Sequence, residues 1–313
     1  MEEANKENQN DYVLDHLEEI KENKDEKNKK FLNCSKKKLI IIITSIVIAL
    51  IIITVVIIVL YSRFIGFPKC VGDKEYDYTD EEIHVEHDGI NLYGKYLLPK
   101  GTEKFPVVIY AHGAESSYKA DMTTLESLAM SGIAAYTFDF YGWSTKTTGP
   151  KSGDWFKKTE KGENAYENQV LEQAKDLDAV VNKVKTFEQI DVNNIYIIGS
   201  SMGGATTAVS SVNHSSDVKA IILQYPAINL DPQAKVDGAD LDVNKYTNKV
   251  LILQGTSDEI VPLSMSQELL AHYNKYNKEH AEMITYDGQP HVFTGPYKVK
   301  ASEDIFKFIK KLM

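Results

Sequence analysis

Apolar positions fall into three successive patterns along the chain, and each predicts a different kind of structure. From Leu39 to Tyr61 no residue is charged and most are Ile, Val or Leu, interrupted only by Thr44, Ser45 and Thr54. Coiled as a helix, that run is about 35 Å long, enough to cross a hydrocarbon core of about 30 Å. From Glu82 to Leu98, polar and apolar residues alternate on both sides of Asp88-Gly89, a turn dipeptide, which predicts a β-hairpin. Beyond it, short apolar runs alternate with longer amphipathic ones. Strands are expected at Phe105 to Ala111, Ile133 to Asp139, Ile195 to Gly199, Ala220 to Gln224, Val250 to Gln254 and Glu282 to Tyr286. Helices are expected near residues 119–131, 163–186, 202–212, 264–275 and 296–311. This alternation predicts an α/β fold with a mostly parallel sheet of about eight strands, helices on both faces and a ligand crevice at the C-terminal strand ends.

Composition divides the 313 residues without adding a second large domain. Residues 1–38 are dominated by Glu, Lys, Asn and Asp and hold few large apolar side chains, so a disordered tail is expected there. A membrane helix follows at 39–61, a tether at 62–81 and the folded domain at 82–313. A cleaved signal peptide fits the run at 39–61 less well, because that run is long, lies deep in the chain and lacks a small-residue cleavage site. Lys21, Lys24, Lys27, Lys29, Lys30, Lys36, Lys37 and Lys38 precede the run, whereas only Arg63, Lys69 and Lys74 follow it closely. That bias predicts a single-pass protein of the cell membrane, with its N-terminus in the cytoplasm and its large domain outside. Cys34 and Cys70 then lie on opposite sides of the bilayer and cannot pair. The net charge of −10 falls mostly on the large domain and argues against nucleic acid as a partner.

The chemistry begins at Gly199-Ser200-Ser201-Met202-Gly203, where a buried strand runs directly into a helix. Glycine two before and two after a serine fits a tight, strained turn that lifts the hydroxyl out of the sheet. Only Ser201 has both glycines, so Ser200 is read as a packed or solvated hydroxyl. A serine hydroxyl needs a histidine base, itself oriented by a carboxylate. Asp258, in Gly255-Thr256-Ser257-Asp258, and His291, in Gly288-Gln289-Pro290-His291, each follow a later strand and are the expected partners, ahead of Glu259 and Asp287 for the acid. His272 and His280 sit on or beside a helix; His16, His84, His87 and His214 lack the required position, and His112 reads as structural. Backbone N–H groups of Ala114 and Met202 are placed to hold an oxyanion. Trp143, Trp155 and Phe156 either line a substrate pocket or pack their loop onto the core.

His112-Gly113-Ala114, Phe138 to Gly142, Gly199 to Gly204, Gly255 to Asp258 and His291-Val292-Phe293 together resemble the serine α/β-hydrolase superfamily over residues 82–313. Their order is similar to the branch of cinnamoyl and feruloyl esterases, monoacylglycerol lipases and serine aminopeptidase-like hydrolases. The resemblance implies an α/β-hydrolase fold and cleavage of carboxylic esters through an acyl-enzyme. Only residues 226–248 are available for a cap, which is therefore expected to be short. No H-E-x-x-H, paired C-x-x-C or G-x-G-x-x-G pattern is present, so neither metal nor organic cofactor is expected. The partners expected are a small ester or acyl substrate and, through residues 39–61, the lipid bilayer. Two other functions remain compatible with the sequence: a peptidase or amidase using the same residues, and an inactive fold serving as a surface binding module.

Overall fold

The computed structural model describes residues 3–64, 66–143, 146–150, 165–228, 235–236, 239–240 and 243–313. Two compact units emerge, Met1–Leu60 and Tyr61–Met313.

The first unit is helical. Helix α1 runs from Glu3 to Phe64, so the structure is helical where composition predicts a tail without order. The reason lies in what the segment lacks. No Gly or Pro occurs before Gly66, while Glu, Lys and Leu favour helix, and extending an existing helix costs far less than starting one. Within α1, the 26-residue stretch Lys36–Tyr61, three lysines followed by the uncharged run, is long and apolar enough on average to cross a membrane, and none of it is buried by protein. Its three hydroxyls turn back onto the helix: Thr44 Oγ1 donates to Ile40 O (2.7 Å), Ser45 Oγ to Ile41 O (2.8 Å) and Thr54 Oγ1 to Leu50 O (2.9 Å). Such bonds satisfy the hydroxyls within the helix itself, without a partner from outside it.

The second unit is built on an eight-stranded sheet. Its strands in chain order are β1 (Tyr78–Glu82), β4 (Gly94–Pro99), β5 (Phe105–Ala111), β6 (Ala134–Phe138), β7 (Ile190–Ser200), β8 (Val218–Gln224), β11 (Lys249–Gly255) and β12 (Ala281–Tyr286). They are arranged β1-β4-β6-β5-β7-β8-β11-β12. Pairing is antiparallel from β1 through β4 to β6 and parallel from there to β12. Strand alternation sends successive residues to opposite faces. Val107, Ile109, Ile197 and Ile221 thus join one core cluster with α3 (Ala165–Val184), α4 (Met202–Ser210) and α5 (Leu263–Tyr273). Val108, Tyr110, Ile198 and Ile222 join the other, with α2 (Met122–Ala129) and α6 (Gly295–Leu312). Helices on both faces explain why the central strands carry apolar residues almost without interruption.

The expected hairpin exists, but in two tiers. Its tip, β2 (Val85–His87) with β3 (Ile90–Leu92), forms a separate two-stranded sheet around Asp88 (φ 48°) and Gly89 (φ 77°), two positive φ angles that suit a tight hairpin turn. Its outer arms, β1 and β4, join the main sheet. Of the expected cap region beyond Ile228, the described residues are β9 (Lys235–Val236), β10 (Ala239–Asp240), a 3-10 turn at Val243–Lys245 and residues 246–248.

A part-buried bond ties the hairpin tip to α3. His87 Nε2 lies 2.8 Å from Asp176 Oδ1, and the Tyr141 N–H donates to Asp176 Oδ2 at 2.8 Å. The bond to Asp176 raises the His87 pKa above its ordinary value, while burial raises that of Asp176 despite the favourable histidine. A histidine with a raised folded pKa stabilises the protein fully below about pH 6.5 and loses that contribution as pH climbs through the raised value. Replacing His87 by Phe is therefore expected to cost about 1.5 kcal/mol at pH 6 and progressively less at higher pH. Thermal unfolding of both proteins across that range checks this; a deficit that does not change with pH contradicts it.

Candidate active site

Strand β7 ends at Ser200 and α4 starts at Met202, leaving Ser201 alone in the turn at φ 55°, ψ −120°. A non-glycine residue at positive φ is strained and persists only where its surroundings enforce it. Here the Ser201 N–H donates to Gln224 O (3.0 Å) and Ser201 O accepts from the Ala227 N–H (3.0 Å). Gly203 is required because a Cβ there would collide with the carbonyl oxygens of Ala111 and His112. Helix α4 thus packs its first turn directly on the end of β5. Gly203→Ala is expected to destabilise the fold by about 3 kcal/mol, since the obstacle is backbone on both sides. A midpoint of thermal unfolding unchanged from wild type would contradict that packing argument.

Three loops bring the expected polar residues together. His291 Nε2 lies 3.0 Å from Ser201 Oγ, and His291 Nδ1 lies 2.8 Å from Asp258 Oδ2. Asp258 is held on all sides: Oδ1 accepts the Ile260 and Val261 N–H groups (2.9 and 2.8 Å), and Oδ2 also accepts Gln254 Nε2 (3.0 Å). Gln254 is fixed in turn by Ser266 Oγ at 2.7 Å. The acid and histidine loops approach closely at Gly255, where a Cβ would meet the Gln289 carbonyl, and Ser257 N donates to Gln289 O at 3.0 Å. The Tyr225 ring lies 4.8 Å from the His291 ring and 5.1 Å from that of Phe293. Tyr225 is itself at φ 40°, a second strained non-glycine residue at this rim.

The loop after β5 passes beside Ser201. A Cβ on Gly113 would lie 3.1 Å from Ser201 Cβ. His112 is fully buried: its Nδ1 donates to Gly113 O (2.7 Å), its Nε2 accepts the Phe140 N–H (3.1 Å), and burial lowers its pKa. The ring is thereby kept neutral and joins the loops after β5 and β6. Among the described residues, the N–H groups of Ala114 and Met202 make no backbone hydrogen bond. For Met202 this follows from its place at the first position of a helix, whose leading N–H groups have no partner within it.

Ser200 is a packed hydroxyl, accepting from Tyr110 OH (3.1 Å) and donating to Gln224 Oε1 (2.5 Å). Gln224 continues to Asp121, whose carboxyl is pushed above the usual range by burial. The competing residues stand elsewhere: Asp287 accepts from Thr256 Oγ1, His280 bonds to Tyr273 O, and His214 bonds to Asp178. Trp143 is half-buried and packed against the core cluster containing Tyr141 and Met202, whereas Trp155 and Phe156 lie outside the described residues. Sequence reasoning missed Gln254 and Tyr225. Each ends or follows a strand that the sequence does show, but nothing in the pattern marks its partner across the site.

Residues 93–312 match the model of the dienelactone hydrolase family. No curated protein matches the chain. Among solved structures, Est1E from Butyrivibrio proteoclasticus with bound ferulic acid superposes with a TM-score of 0.58 at 22% identity, over 74% of this chain and 98% of that one. Dienelactone hydrolase from Anabaena variabilis gives 0.58 at 16% identity, covering 74% and 96%. Acylaminoacyl peptidase from Pyrococcus horikoshii gives 0.57 at 18%, covering 74% of this chain but only 41% of that larger one. At these identities the likeness is one of fold.

Proposed function

The chain belongs to the dienelactone hydrolase family, within the serine α/β-hydrolase superfamily, and from that premise we propose that it is a membrane-anchored serine hydrolase acting on carboxylic esters. The observation that carries this reading is the unbroken relay Ser201 Oγ, His291, Asp258, with links of 3.0 and 2.8 Å. In the proposed reaction His291 Nε2 takes the Ser201 proton as Oγ attacks the ester carbonyl. Charge developing on the carbonyl oxygen meets the N–H groups of Ala114 and Met202. The carbon–oxygen bond to the alcohol then breaks, His291 returns its proton to the leaving alcohol, and an acyl group remains on Ser201. Water, deprotonated by His291, releases the carboxylic acid. Asp258 holds Nδ1–H toward itself, so that Nε2 presents its lone pair to the serine. Ferulic acid, bound by the related Est1E, is a carboxylic acid and so has the chemistry of an ester's acid half.

A fluorophosphonate probe tests the reading directly. The full chain is expected to be labelled and to cleave p-nitrophenyl esters faster than aminoacyl anilides, and Ser201→Ala is expected to lose both labelling and turnover. Labelling that survives in Ser201→Ala would sink it.

Anchoring through residues 39–61 is supported by the length of the apolar run and by its self-satisfied hydroxyls. The lysine excess before the run supports a cytoplasmic N-terminus with the catalytic unit outside. Protease added to intact cells is expected to digest the large unit; complete protection would reverse the orientation.

A further inference from the structure

Tyr225 stands on the face of the sheet that its place in the sequence does not predict. Along β8 the side chains alternate between the two faces: Ala220 and Ile222 join the cluster under α2 and α6, Ile221 and Leu223 the cluster on the opposite face. Gln224 keeps to the alternation, since its amide reaches Ser200 and Asp121 on the α2 side. In an extended chain the next residue, Tyr225, would turn to the opposite face. Its ring instead belongs to the same cluster as Ile222, beside Phe293. The φ of 40° accounts for the reversal, because a residue in the left-handed region breaks the alternation of an extended chain.

A strained non-glycine residue persists only where its surroundings enforce it, and such residues gather at functional sites. Tyr225 is enforced from several directions. Its N–H donates to Leu253 O at 2.7 Å, and the Phe293 ring stands at 89° to its own, 5.1 Å away. Phe293 is backed by the Tyr286 ring (4.8 Å), whose hydroxyl donates to Asp304 Oδ2 at 3.1 Å. Burial, followed by the Asp121 carboxylate, raises the Tyr225 pKa, so its hydroxyl stays neutral where it meets Ser200. The neighbours of Tyr225 are engaged with the elbow: Gln224 O accepts the Ser201 N–H, and the Ala227 N–H donates to Ser201 O, both at 3.0 Å. Residues 224–227 therefore hold the backbone of Ser201 and also carry the ring that faces His291.

His291 requires such a neighbour. Its two nitrogens are bonded to Ser201 and Asp258, yet a ring held at two points is able to rock about the line between them. Rocking tilts both bonds off straight, and hydrogen bonds weaken steeply with that angle. The Tyr225 ring lies 4.8 Å from the imidazole with the two planes 57° apart, which is contact range for aromatic pairs.

We propose that Tyr225 is a positioning residue for the base: its ring, thrown to the His291 side by strained backbone, stops the imidazole from rocking and keeps Nε2 aimed at Ser201 Oγ. The proposal rests on the ester-hydrolase reading above and adds one residue to it. Tyr225 exchanges no proton and makes no bond to substrate. The ring carries the effect, and the hydroxyl anchors that ring on Ser200.

The test uses the full chain in detergent micelles with p-nitrophenyl acetate. It measures KM, and kcat per site titrated to completion by a fluorophosphonate, so that misfolded molecules drop out. Tyr225→Leu loses the ring and is expected to lower kcat per site about 10²-fold with KM changed by less than about threefold, the scale of a small misplacement at a reacting group. Tyr225→Phe keeps the ring without the hydroxyl and is expected to recover kcat to within about threefold of wild type. Tyr225→Met, which adapts to irregular gaps, repeats the ring-less case. A tyrosine that only filled the core would change the number of titrated sites and the unfolding midpoint, but not kcat per site. With wild type labelled, any of three results would overturn this proposal alone: wild-type kcat per site in the ring-less variants, equal losses in Tyr225→Phe and Tyr225→Leu, or no titratable site in either ring-less variant. An unlabelled wild type, or labelling that survives in Ser201→Ala, would remove the ester-hydrolase reading and this proposal with it.

Discussion

Alanine in place of Ser201 is expected to lower kcat on a p-nitrophenyl ester by about 10⁵-fold while leaving the unfolding midpoint close to that of wild type. The size follows from the proposed mechanism, in which losing the Ser201 hydroxyl removes the covalent route altogether and leaves only the oxyanion donors and binding. The stability expectation has a separate cause. Ser201 Oγ has its bond with His291, while the strained turn is held by backbone bonds to Gln224 and Ala227 that alanine retains. Alanine also tolerates φ near 55° no worse than serine does. A decrease in kcat smaller than about tenfold would assign the chemistry to another group.

Asp258→Asn is expected to reduce kcat by about 10⁴-fold with little effect on KM, through the tautomer of His291. Each carboxylate oxygen faces only donors. Oδ1 receives the Ile260 and Val261 N–H groups, and Oδ2 receives His291 Nδ1 and Gln254 Nε2. An asparagine has one oxygen to offer, and two backbone donors hold it at the Oδ1 position. Its NH₂ then points at His291, which is stable only if Nδ1 becomes the acceptor and Nε2 carries the proton. An imidazole protonated on Nε2 cannot accept the serine proton. Asp258→Ala lacks the misdirecting NH₂, so its kcat should fall less far and its stability more. Equal kcat values for wild type and Asp258→Asn would show that the carboxylate does not orient the base.

Both effects depend on contacts that are only partly legible in the sequence. The glycines around Ser201 are legible because their requirement is local: a turn that sharp needs bare backbone at fixed offsets, and the structure shows the carbonyls of Ala111 and His112 filling the space at Gly203. Candidate positions for the acid and the base are legible too, because strands buried on both faces read as unbroken apolar runs and the loops after them are short. What holds Asp258 and His291 in place is not. Gln254, Tyr225 and the pairing of Gln289 with Thr294 and Ser257 are polar or aromatic choices whose reasons lie across the site. His87 and Asp176 stand 89 positions apart, and neither carries a local sign of the other. Helix α1 shows the converse limit. Low hydrophobicity at residues 1–38 signals that nothing packs there, yet backbone hydrogen bonds need no packing partner to continue a helix whose apolar half is already formed.

By itself, then, the sequence determined the periods: one apolar run of membrane length, a hairpin turning at Asp88-Gly89, alternating strands and helices, and a serine flanked by glycines at the end of a strand. These depend on neighbours within a few residues, where covalent geometry and side-chain alternation leave little freedom. Tertiary structure alone decided the distances: an imidazole set between an oxygen 90 positions away and a carboxylate 33 positions away, and Gly66 pressed against the start of α6. Such contacts are made by the packing of two sheet faces against different helices, and no local pattern in the chain encodes which loops that packing brings to one rim.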